Sequence, residues 1–177
     1  RRELAGEAIW LGRLVASLMP EEPEALGLLS LMLFAEARRS ARRDAEDRYI
    51  PLGEQDVTLW DPEMIEEAEG LLRKASAMPG SGRYQIEAAI QSAHVVRRSK
   101  QHADWNAIVV LYGMLMAITP SPVVAINRAV ALAEAVGAEA GLAVLDEIGD
   151  DPRLAEYQPY WAARAEILVR AGRHADA

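Results

Sequence analysis

An all-α fold is what this sequence predicts, and three observations predict it. Alanine, leucine and glutamate dominate while alternation of β-branched residues is nearly absent, which favours helix over strand. Apolar residues recur at three- and four-residue spacing along most of the 177 residues, the period of a one-sided helix. Capping signals, an Asp or Ser before Pro and a Pro or Gly after an apolar run, punctuate the chain at short intervals and imply short helices joined by tight turns.

The elements follow in order. A first helix is expected over residues 4–19, with Leu4, Ala8, Leu11, Val15 and Leu18 on one stripe, and Pro20 ends it, since proline cannot donate to the preceding turn. A second runs over 23–44 through the run "ALGLLSLMLFA". Asp61 followed by Pro62 makes an N-cap and first-turn pair for a third helix, whose Met64, Ile65, Ala68, Leu71, Leu72 and Ala75 repeat up to the turn "PGSG",. A fourth covers about 84–98. Asp104 caps a fifth that Pro120 stops; Ser121 and Pro122 open a sixth that ends at Gly137,. A seventh spans 139–148, and an eighth spans 152–172.

One stretch does not fit. In "IPLGEQDVTLWDPEMIEE", residues 50–67, about a dozen positions lack any helical period, so 48–61 is expected to be a long ordered loop. Two readings of it stand open. In one, Trp60 anchors the loop while Gln55, Asp56 and Asp61 meet the basic cluster Arg38, Arg39, Arg42 and Arg43 at the end of the second helix, folding the loop back onto it. In the other, Asp61 is only an N-cap, Trp60 a core residue or staple, and the arginines are neighbours of a helix C-terminus.

Several function classes are disfavoured. With Lys+Arg at 19 against Asp+Glu at 27 the net charge is -8, a poor balance for gripping a phosphate backbone, so no direct nucleic-acid contact is expected. No cysteine occurs, which removes disulfides and thiolate metal sites and fits a cytoplasmic setting. The longest apolar run is too short for a bilayer, so no membrane partner is expected. His94, His102 and His174 are far apart, and none sits in a helical metal-binding pair,. No catalytic, metal or cofactor site is expected, and Ser121 reads as a cap rather than a nucleophile.

The helices also repeat. "INRAVALAEAVGAEA" and "AARAEILVRAGRHADA" share small residues, leucine-like residues and a helix-ending glycine, and Gly137 and Gly172 lie 35 positions apart, close to the period of a tetratricopeptide array. "LLRKASAMP", "LYGMLMAITP" and "VLDEIGDDP" each close an amphipathic helix with proline. Small residues such as Ala125, Ala129, Ala163 and Ala165 let helices approach closely. The expectation is antiparallel hairpins stacked as a tetratricopeptide-like (TPR-like) right-handed superhelix with one long ordered loop; an ordinary helical bundle is the alternative. The organisation would be one domain over 1–177, with an N-terminal hairpin at 1–47, the loop at 48–61 and hairpins over 62–177.

Taken together, the run Leu28 to Arg39, the "EQD…WD" element and "PSPVVAINRAVA" resemble the C-terminal extension of certain bacterial extracytoplasmic-function (ECF) RNA polymerase sigma factors, over essentially the whole chain. The resemblance implies sigma domains upstream, and a regulatory, protein-interacting role through contacts with those sigma domains, RNA polymerase or a regulatory protein. Gln55, Asp56, Trp60 and Asp61 match the family pattern. Val57 departs from it, standing where an arginine is expected, so no role of that arginine carries over. In this reading the helices around Trp105, Tyr112, Asn127 and Arg128 line one face while the loop around Trp60 covers another; Asn127 and Arg128 interrupt an apolar helix and read equally as groove contacts or surface residues. A free-standing TPR-like scaffold that binds a peptide or helix in its concave groove is a second reading. A small helical enzyme or ligand-binding protein would require a buried polar pocket, which the sequence does not predict.

Overall fold

The computed structural model describes residues 2–173. Every regular element among them is helical; the one piece of strand-like pairing is an isolated antiparallel bridge between Arg43 and Tyr49. The helices are α1 (Arg2–Leu18), α2 (Pro23–Ala37), α3 (Pro62–Ser76), α4 (Arg83–Val95), the single-turn α5 (Arg97–Lys100), α6 (Trp105–Ile118), α7 (Pro122–Ala135), α8 (Ala138–Ile148) and α9 (Gln158–Arg170). Where a single domain was expected, the chain divides into two compact units, Arg1–Ala103 and Asp104–Ala177, so the boundary lies well beyond the 48–61 loop.

In the first unit α2 is the central element and packs against α1, α3 and α4. Its run from Ala25 to Ala35 is apolar on all sides, which suits a helix covered all round, and Leu26, Leu29, Leu33 and Phe34 are buried. The approach to α4 is close: a Cβ on Gly27 would stand 2.6 Å from the Gln85 nitrogen, so only glycine fits there. Polar ties fix the register. Ser30 Oγ donates to Ala68 O on α3 at 2.8 Å, and the Glu24 carboxylate accepts from the Tyr84 and Gln85 amides, both at 3.0 Å. That carboxylate caps α4, whose own N-cap residue, Gly82, has no side chain to do so.

The second unit follows simpler rules. Asp104 and Ser121 cap α6 and α7 as expected. α7 packs on α6 and α8, and α9 returns to touch both α8 and α7. Ile126, Ala129, Leu142, Leu145, Leu154, Tyr160, Ile167 and Leu168 form its core. A Cβ on Gly141 would meet Ala129 O at 2.7 Å, so α7 and α8 touch backbone to backbone.

Four expectations are corrected. The stripe assigned to α1 faces outward: Leu4, Leu11, Val15 and Leu18 are exposed, as are Trp10 and Leu14. The packed side is instead Ile9 and Ala16 with Gly12, whose ideal Cβ would lie 3.2 Å from Leu29 Cδ1, about a third of a turn away at roughly 100° per residue. Small residues win that side because they let α1 lie close on α2. Next, α2 stops at Ala37 rather than near Asp44. The Asp61 amide takes the Ala37 carbonyl at 2.9 Å, and the Asp44 carboxylate accepts from the Glu46 and Arg48 amides, closing a turn that competes with helix,. The fourth helix ends at Val95 and, after Val96, only the turn α5 follows, ended by Gln101 at φ 65. Lastly, 152–172 is broken into a 3-10 turn, Pro152–Leu154, and α9; Pro159 belongs in the first turn of a helix, because deeper inside one its ring would strike the carbonyl four residues back.

Candidate functional site

The loop between α2 and α3 is ordered by its own side chains. Arg43 and Tyr49 pair across a short turn in which Asp44 accepts from two amides and from Arg48 Nε at 2.7 Å. Two 3-10 turns follow, Leu52–Glu54 and Val57–Leu59. Asp56 accepts from the Thr58 hydroxyl at 2.7 Å and the Thr58 amide at 2.9 Å, which holds its carboxyl below the usual range,. Trp60 is 2% exposed within the first unit's core. Asp61 then caps α3, accepting from the Glu63 and Met64 amides, both at 3.0 Å.

The proposed pairing of Gln55, Asp56 and Asp61 with the basic cluster does not form. Asp56 and Asp61 are spent on local amides, and Gln55 Nε2 donates to Ile50 O at 3.1 Å. Each arginine has another partner: Arg39 pairs with Glu36 at 2.9 Å, Arg42 donates to Ala35 O, Arg43 pairs with Asp47 at 3.2 Å, and Arg38 donates to Gln91 Oε1 on α4. The physical reason is reach: a carboxylate that accepts the amides two or three residues ahead is held at its own turn. The loop does fold back onto α2, through the Asp61 amide.

The group that holds the loop comes from α5. Arg97 donates to Leu52 O at 2.7 Å, to Gly53 O at 2.6 Å and to Gln55 O, while its guanidinium sits over the Trp60 ring at 5.3 Å. One planar fork thereby satisfies three loop carbonyls and covers an aromatic face. In the sequence Arg97 reads only as one of several cations ending a helix. The missed signal is the loop itself, whose non-helical carbonyls need donors from somewhere.

A buried arginine, Arg38, acts on the clamp's Arg97 and on His94. Arg38 is 8% exposed, and burial together with Arg42 pushes its pKa down to about 10. His94, on the same side of α4, is pushed down to about 4 by burial and by Arg38 and Arg97, so it is neutral at pH 7. No group of three or more acidic or imidazole side chains that could hold a metal occurs among the described residues. His174 lies outside them.

Two clefts flank α1. One of about 410 Å³ is lined by Ile9, Arg13, Glu36, Arg39, Asp61 and neighbours, and one of about 270 Å³ by Ala8, Met32, Glu36, Arg42 and others. Arg13 makes a two-point contact with Glu67 of α3, at 2.7 and 3.0 Å. Beyond it the outer face of α1 exposes Leu4, Leu11, Leu14, Val15 and Leu18, with the exposed Glu7 among them. In the second unit, Trp105 and Tyr112 are half-buried on α6; on α7 Asn127 is exposed and Arg128 half-buried, with its Nε shielded and without an acceptor. Val110, Met114 and Ile118, four residues apart on α6, are exposed.

Residues 1–76 match the model of a family of unknown function, DUF6596. Among curated proteins, the chain is similar to an uncharacterized protein of Rhizobium meliloti (strain 1021), with 41% identity over 175 residues. That alignment takes in 99% of this chain and 41% of the relative, so the chain spans well under half of the relative's length. No solved structure matches the chain.

Proposed function

We propose that residues 1–177 form a regulatory, protein-interacting domain of an ECF sigma factor, which acts by docking on other parts of its own chain, on RNA polymerase or on a regulator. The observation that carries this reading is the outer face of α1. Leu4, Leu11, Leu14, Val15 and Leu18 lie on one side and Leu4 and Leu18 are 68% and 72% exposed, an apolar stripe interrupted by the exposed Glu7 and of the kind that marks an interaction surface. The resemblance of the "EQD…WD" loop and of "PSPVVAINRAVA" supports the sigma-factor assignment, and the greater length of the Rhizobium relative fits a domain that works within a longer chain. No catalytic step is assigned. The neighbours of each titratable group in the loop are structural partners, and among the described residues no helix is long and apolar enough to cross a membrane. The setting proposed is cytoplasmic.

The finer architecture we infer is TPR-like. Within the second unit α7 touches α8, α8 touches α9, and α9 touches α7, the contact order of successive repeat helices; Gly137 and Gly172 each directly follow the C-cap of a helix, α7 and α9. The exposed row Val110, Met114 and Ile118 favours a second reading, a scaffold that receives an apolar partner helix on α6.

Promoter-directed transcription in vitro separates these readings. The full-length gene product is compared with a version lacking residues 1–177 and with a Leu11→Glu, Leu18→Glu double variant. A change in transcript yield in both, with polymerase binding retained, is expected; a rise would mark an inhibitory domain and a fall an activating one. Unchanged transcription in both would remove the sigma-factor role and leave the scaffold.

A further inference from the structure

Arg38 presents an unusual balance of charge. Its side chain is buried in the first unit, and among the described residues no carboxylate stands within ion-pair distance. One nitrogen donates to the neutral amide of Gln91 at 2.5 Å, while Nε and Nη1 are shielded from solvent without an acceptor. The cations acting on it, Arg42 and Arg97, repel it, and only Tyr49 acts in the opposite sense. The nearby acids are committed elsewhere: Glu36 to Arg39, Asp44 and Glu46 to Arg48, Asp47 to Arg43. Trp60 Nε1, on the ring beneath Arg97, is another buried donor without an acceptor.

Burying a guanidinium with no opposite charge is costly. An ordered water accepts a hydrogen bond from an orphaned N–H but offsets none of the charge. In a chain of net charge -8, a buried arginine with two orphaned donors and two further arginines acting on it calls for an anion rather than a water.

We propose that Arg38, backed by Arg42 and Arg97, is the receptor for one small oxyanion group, a carboxylate or a phosphate, held where α2, the 48–61 loop and α4 meet. Guanidinium is the side chain whose planar donors suit such oxygens. The depth of Arg38 limits the ligand to a single ion or one terminal group and excludes a polymer backbone lying along the surface. Binding ties together three segments that otherwise meet around unbalanced charge, so the ligand sets the rigidity of the loop.

Thermal unfolding of the whole chain at pH 7 tests this, with ionic strength held constant by chloride. Sodium phosphate, sodium acetate, and a short peptide with a free C-terminal carboxylate alongside its amide twin are titrated in turn. At least one oxyanion is expected to raise Tm saturably, by about 5–10 °C at a hundredfold excess over Kd, and the rise is expected to vanish in Arg38→Met. In chloride alone Arg38→Met should melt no lower than the parent, because it removes an unbalanced charge. A response to phosphate or acetate identifies a free ion, and a response only to the free-carboxylate peptide identifies a partner's terminus. Should Arg38→Met fail to fold, Arg42→Gln, which keeps Arg38, should weaken the titration several-fold. A parent that responds to none of the probes, or variants that respond like the parent, would overturn the proposal.

Discussion

The two units solve the same problem, packing short helices, by different means. All the buried polar residues of the described chain, Ser30, Arg38, Gln55 and Gln85, belong to the first unit. Its segments are joined by ties that span long stretches of sequence: Glu24 to the start of α4, Ser30 to α3, Ser92 to Glu69 at 2.6 Å, Arg97 to the loop. The second unit relies on alanine, glycine and leucine at its helix contacts. Its side-chain ties lie mainly near the surface, Arg164 with Asp146 and Arg170 with Glu134, both at 2.5 Å; the buried exception is Tyr160, whose hydroxyl donates to Leu145 O at 3.2 Å. Apolar burial is tolerant of register, whereas a buried polar group admits only arrangements that satisfy it. The first unit therefore holds an irregular loop in one place, and the second holds regular hairpins.

The largest test of this contrast removes one core residue from each unit. Trp60→Ala should cost about 3–5 kcal/mol, and Ile167→Ala about 2–5 kcal/mol. In denaturant titrations each loss should fall on the transition of its own unit, and a single shared transition that absorbs both would merge the two units energetically. Next in size is a pH effect confined to the first unit. His94 has a folded pKa near 4 against an ordinary value of 6.5, so below pH 6.5 the unfolded chain takes up a proton that the folded chain refuses. Stability is full above 6.5 and falls as pH drops toward 4, by on the order of 3 kcal/mol. His94→Leu should flatten that part of the stability-against-pH curve, and a slope left unchanged would reassign it. The smallest test concerns caps, where the units should not differ. Asp61→Ala and Ser121→Ala should each cost about 1 kcal/mol in denaturant midpoint; a much larger cost at Asp61 would show that its amide contact to Ala37 depends on the cap as well.

The pattern of what could be read follows the range of the interactions. Asp61, Asp104 and Ser121 were legible as caps because an N-cap accepts from amides two or three residues ahead. Pro159 marks the break inside the eighth expected helix, since a proline ring deep in a helix strikes the carbonyl four residues back. The side of α1 that packs was not legible: its own apolar stripe points one way, and the small residues that fit α2 point another. Nor was the loop's true anchor, since Arg97 lies 42 to 45 residues beyond the carbonyls it binds and any nearer arginine would have served as well on paper.

By itself the sequence determined the all-helical class, the capped helix starts and the existence of an irregular loop, because propensity, capping and proline sterics act within a turn or two of the chain. Tertiary structure decided the two-unit division, the outward turn of α1's leucines, the grip of Arg97 on the loop and the burial of Arg38 without a counter-charge. Each of these depends on which distant surfaces exclude water from which groups, and that is set only once the helices have packed.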